Sequence, residues 1–220
     1  MHDTTRKDEE KYPDYDVLSK REGPSWNEKT REVIARRLSL GGGPKFFTPE
    51  EFETLEQVAA RIVPQPQGRP PIPVAALVDD KLHLGKSDGY RNAGLPRERD
   101  AWRIGLKALD AESEKIYAAR FSQLPAERQD ELLTRMANGE LNDPAWEGMA
   151  SNLFFHKRMA IDVIYAYYAH PIAWSEIGWG GPASPRGYVR MGYDERDPWE
   201  AAEVKNGDVA AAQRKNRHVR

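Results

Sequence analysis

Residues 46–64 read FFTPEEFETLEQVAARIVP. Thr48 suits an N-cap, Pro49 the first helical position, and Glu51, three residues past the cap, completes a capping box. Phe52, Leu55, Ala59 and Ile62 then recur on one face, and Pro64 ends the run. The stretch predicts an amphipathic helix, which must bury one side against other helices.

The flanking segments repeat this logic. PQPQGRPPIP (64–73) holds too many prolines for anything but an extended, polyproline-like connection. Upstream, Ser25 with Glu28 fits a capping box, and Val33, Ile34, Arg37 and Leu38 predict a short helix ending at Gly41–Pro44. Downstream, VAALVDDKLHL (74–84) reads as a short helix. Leu95-Pro96 opens a longer one with Trp102, Leu106, Leu109 and Ile116 inward, and Leu124-Pro125 opens another with Leu132, Leu133 and Met136, capped by Asn138-Gly139. Asp143-Pro144 then predicts the start of the longest helix, carrying Trp146, Met149, Leu153, Ala160, Ile161, Ile164 and Tyr168 to about residue 169. Few runs alternate with period two, so the fold class is all-α: a single irregular helical domain over residues 25–192. An N-terminal arm (1–24), flexible or partner-bound, precedes it, and a charged C-terminal tail (193–220) follows.

The chain has 220 residues, with 33 Lys+Arg against 35 Asp+Glu and a formal charge of −2. The signs alternate, leaving no basic stripe for a nucleic-acid backbone. There is no cysteine, which excludes disulfides, thiolate metal ligands, iron–sulfur clusters and covalent haem attachment on this chain. No run reaches the ~18 apolar residues of a membrane span; MAIDVIYAYYA (159–169) is broken by Asp162 and reads as a buried helix face. The charged start MHDTTRKDEEKYPDYD has no apolar export core, and Arg36-Arg37 precedes LSLGGG. The chain as written thus predicts a cytoplasmic protein, periplasmic only if carried by a partner's signal.

Searches for chemistry find little. Gly178–Ala183 formally matches G-x-G-x-x-A, but a helix precedes it and prolines follow, whereas a dinucleotide site needs a strand before and a helix after. No phosphate-loop sequence or G-x-S-x-G elbow occurs. The five histidines form no helix-spaced ligand pair. His156, between Leu153 and Ala160 on an apolar face, reads as a core or interface residue, and His170 as a cap for helix-end carbonyls. Asp110, Glu112 and Glu114 read as a solvated helix face. No catalytic, cofactor-binding or metal-ligating residue is assigned.

What remains is HPIAWSEIGWGGPASPRGYVRMG (170–192). It follows the long helix and has too many glycines and prolines for another regular element, so its aromatic residues need shelter. Trp, Tyr and Arg are enriched at protein–protein hot spots, while glycine and proline let a strap follow a partner's contour. Trp174, Trp179, Arg186, Tyr188 and Arg190 are therefore the expected docking residues. Packing of the segment back onto its own helices is the alternative, and the two are compatible.

TPEEFETLEQVAARIVP (48–64), the run from HPIAW to GWGGPASPRG, and the helix starts between them resemble the gluconate 2-dehydrogenase subunit 3 family over roughly residues 46–190. The resemblance implies a small, helical, non-catalytic subunit of a sugar or polyol dehydrogenase. Its partner would be a large FAD-dependent subunit of the glucose–methanol–choline type, often with a separate cytochrome c subunit. The flavin would sit on the partner, with no cofactor on this chain. Unlike many members, this sequence shows no twin-arginine signal. A stand-alone helical enzyme with a dispersed His/carboxylate site and a self-contained scaffold are the competing function classes.

Overall fold

The computed structural model describes residues 10–86, 89, 92–188, 192–193 and 195–219. In chain order its α-helices are α1 (Glu28–Leu38), α2 (Pro49–Ile62), α3 (Val74–His83), α4 (Glu98–Tyr117), α5 (Ala126–Asn138), α6 (Ser151–Phe154), α7 (Ala160–Ala169), α8 (Pro171–Glu176) and α9 (Val209–Asn216). Short 3-10 turns and a π turn at Phe155–Met159 complete the set. Among the described residues there is no strand, and the fold is all-α.

The chain divides into two compact units: residues 40–167, and the described residues up to Ser39 with those from Tyr168 onward.

In the 40–167 unit, α2 forms as its sequence requires. Thr48 accepts from Glu51 N–H, the Glu51 side chain accepts from Thr48 N–H, and Pro49 opens the helix. Phe52, Leu55, Val58 and Ala59 are buried, facing α3, α4 and α5. On α4, Trp102 is fully buried and meets Phe47 and Phe154 edge-on, with centroids 6.0 and 5.5 Å away. Gly105 sits mid-helix, where glycine costs about 1 kcal/mol relative to alanine. The Phe154 ring explains it, because a Cβ at Gly105 would come within 2.2 Å of that ring.

The longest expected helix begins later than its Asp143-Pro144 signal implies. Those residues start only a 3-10 turn, Pro144–Trp146, after which Glu147 and Gly148 take positive φ and redirect the chain. Glu112 holds this turn, accepting from Asp143 N–H at 2.7 Å and from Trp146 Nε1 at 3.2 Å. Helix resumes at Ser151 and runs through the π turn into α7. The inward residues there are Phe154, Arg158, Met159, Asp162, Val163 and Tyr167, whereas Ile164, Tyr165 and Tyr168 are exposed. The buried face is thus displaced from the apolar stripe read in the sequence.

The second unit has its own core of Tyr15, Val17, Trp26, Ile34, Trp174 and Val219. The described part of the arm is packed, with a 3-10 helix at Val17–Glu22 capped by Asp16. The tail packs as well: Asn216 Nδ2 donates to the carbonyls of Pro13 and Ala202, and Lys11 O accepts from Val204 N–H. Residues 1–9 of the expected arm lie outside the described residues. Asn27, not Ser25, caps α1. A regular element does follow the long helix, since Pro171 occupies the first position of α8.

Candidate docking segment

The strap begins at a helix cap. His170 is buried, and its Nδ1 accepts from Ile172 N–H at 3.4 Å. It therefore caps the start of α8 through a main-chain donor, where the sequence suggested capping of carbonyls. Burial, aided by the Arg37 charge, lowers its pKa below 6.5. The unfolded chain then takes up a proton that the folded chain refuses until lower pH, so stability falls as pH drops below about 6.5. We expect His170→Asn, which keeps a capping acceptor, to flatten this dependence in urea melts between about pH 7 and pH 5. Identical slopes for variant and wild type would contradict the assignment.

Of the five expected docking residues, Trp174 points inward. It is 1% exposed, its Nε1 donates to Tyr168 O at 2.7 Å, and its ring packs in the unit's core. For Trp174 the packing matches the alternative of shelter within its own chain: α8 places it in one core with Val17 and Trp26. Trp179 stands edge-on to it at 4.7 Å and remains 40% exposed. Gly178 makes this possible, with φ +69 and the Tyr12 ring so close that a Cβ would lie 2.6 Å from it. Tyr188 is 70% exposed, with its hydroxyl donating to Gly181 O at 3.3 Å. Arg186 stacks over Trp199 at 4.1 Å and donates to Ser25 Oγ at 3.3 Å. Arg190 lies outside the described residues.

Three further residues shape the site. The Lys20 ammonium is fully buried and donates to the carbonyls of Gly180 and Trp199, tying strap and tail together. Burial, then the Arg186 charge, lowers its pKa to about 8, so it stays largely protonated at neutral pH. Nothing local in the sequence marks Lys20. Tyr12 belongs to the aromatic Tyr12–Tyr15 patch of the arm, and Trp199 to the aromatic run near the C-terminus. Together Tyr12, Trp179, Arg186, Tyr188, Arg196 and Trp199 rim a groove of about 640 Å³.

The other sequence candidates have structural roles. His156 is exposed, not set in an apolar face, and its Nε2 donates to Ala137 O at 3.0 Å. The acidic trio is no uniform solvated face. Glu112 is 3% exposed, and Asp110 accepts from Thr54 Oγ1, Arg120 and Phe121 N–H, while Glu114 alone faces solvent. Among the described residues, no group of three or more His, Asp or Glu is placed to hold a metal ion, and no helix is long and apolar enough to cross a membrane.

No curated protein and no solved structure matches the chain. A family model described as Gluconate 2-dehydrogenase subunit 3 matches residues 49–181, more than half of the chain. The match opens at the first residue of α2 and closes among the strap glycines, joining the two stretches on which the resemblance rested: the chain belongs to the gluconate 2-dehydrogenase subunit 3 family.

Proposed function

We propose that this chain is a non-catalytic accessory subunit of an FAD-dependent sugar or polyol dehydrogenase of the glucose–methanol–choline type, docking on the flavoprotein and stabilising it. The flavin belongs to the partner, and a cytochrome c subunit can complete the complex. The observation that carries the reading is the groove at the end of the family match. There Trp179 and Tyr188 leave large aromatic surfaces open beside Arg186, the residue types that dominate hot spots. The groove's floor is held by the buried Lys20 ammonium, so little ordering is left for the docking step. Binding only the folded partner stabilises it by about 2.7 kcal/mol at a hundredfold excess over Kd.

The test is co-expression with the flavoprotein, followed by titration of purified components. Trp179→Ala is expected to weaken binding by about 2 kcal/mol or more, with Tyr188→Ala weakening it less. Both should leave the melt of the free subunit nearly unchanged, because these rings contribute little to the core. Unchanged affinity in both variants would refute the docking surface. Failure of any FAD-containing oxidoreductase to co-purify would refute the accessory role itself.

A further inference from the structure

The 40–167 unit contains a second concave site, unconnected with the docking reading: a cavity of about 850 Å³ beside the start of α4. This lies in the range typical of small-molecule sites, roughly 300–1,000 Å³. Phe46, Lys86, Arg97, Arg99, Arg103 and Arg158 contribute to its wall, together with Glu98 and Asp100.

The charges fall into two groups. Arg158 is 4% exposed and faces Glu98 at 3.1 Å and Asp162 at 3.4 Å, so it balances buried carboxylates. Arg103 is likewise engaged, bonding Glu51 at 2.7 Å and Phe46 O at 2.6 Å. Lys86, Arg97 and Arg99 are different: among the described residues no carboxylate pairs with them. Among the described residues of the wall, Asp100 is the one acid not already shared with a buried cation, so the described wall carries an excess of positive charge.

The wall is also held in place. The buried Asp79 carboxylate accepts from the main-chain N–H groups of Lys45, Phe46 and Phe47 at 2.7, 3.0 and 2.9 Å, fixing the loop that carries Phe46. The Arg99 and Arg103 guanidiniums lie 4.7 and 4.5 Å from the Phe46 ring centre. A guanidinium resting on an aromatic ring loses less freedom when it binds, and its planar fork matches carboxylate or phosphate oxygens. Arg97 precedes α4 with no side-chain cap on the helix, so the first-turn N–H groups add to the positive potential there.

We propose that this cavity binds a small, multiply charged oxyanion, with Arg97 and Arg99 as its principal ligands, Lys86 as a supporting charge and Phe46 as the shelf that orients Arg99. A carboxylate and a phosphate share this chemistry.

The test is isothermal titration of the full chain with citrate, inorganic phosphate and, as control, chloride at matched ionic strength. Saturable binding of citrate or phosphate below about 10 mM, absent for chloride, is expected. Citrate alone would identify a carboxylate site, phosphate alone a phosphate site, and both a general oxyanion site. The double variant Arg97→Gln, Arg99→Gln should weaken binding at least about tenfold, while Arg214→Gln on α9 leaves it unchanged. These side chains are exposed, so the variants should fold normally, checked by thermal melt. No saturable binding of either anion, or equal binding in the double variant, would overturn the proposal.

Discussion

Truncation of Trp174 to alanine is expected to cost about 3–5 kcal/mol of folding stability. The indole packs in a core made with Tyr15, Val17, Trp26, Ile34 and Val219, in which residues of the arm and the tail meet. Its loss also removes the donor to Tyr168 O and the ring beneath the Arg37 guanidinium, 5.8 Å from its centre. Urea unfolding followed by tryptophan fluorescence measures the change; a cost below about 1 kcal/mol would show that this core does not hold the arm. The same variant separates the two neighbouring indoles. Folded Trp174→Ala molecules should bind the proposed flavoprotein partner nearly as well as wild type, whereas Trp179→Ala should lose affinity and keep stability.

Asp162→Ala should be comparably destabilising, by about 3–5 kcal/mol. Asp162 is 3% exposed, accepts from Trp102 Nε1 at 2.8 Å, and faces Lys81 at 3.1 Å and Arg158 at 3.4 Å. Glu98 closes the group, 2.7 Å from Lys81 and 3.1 Å from Arg158. Removing one carboxylate leaves two buried or half-buried cations facing a single acid, and an indole N–H without its acceptor. Because the penalty comes from uncompensated charge, a second change, Arg158→Met, should restore part of the loss. Strictly additive effects of the two changes in urea melts would show that the pair is not coupled.

The same network explains a difference between the periodicity of residues 151–169 and their packing. Counting apolar residues selects Ile161, Ile164 and Tyr168, yet Arg158 and Asp162 are buried and Ile164 and Tyr168 are exposed. The helix is oriented by partners on α3 and α4, namely Lys81, Glu98 and Trp102, and hydropathy along one helix contains no record of them. The acidic trio misleads in the same way. Glu112 and Asp110 are buried or half-buried because Trp146, Thr54 and Arg120 reach them from elsewhere in the chain.

Features decided within a few residues were readable in advance. The cap at Thr48, Pro49 and Glu51, the left-handed stop at Gly139 and the apolar faces of α2 and α5 all rest on main-chain geometry and helical period, which act over one or two turns. The all-α class follows from those local signals. Whether an indole faces inward or outward does not: Trp174 and Trp179 are five positions apart in one glycine-rich run, and only the arrival of Val17 and Tyr12 from the other end of the chain distinguishes them. Packing of arm and tail into one unit depends on bonds such as Asn216 to Pro13, 203 residues apart, and Lys20 to Gly180, 160 residues apart. A burial that depends on the sum of many distant contacts has no signature in any short stretch, so the core, the groove and the buried charges emerge only once the chain has folded.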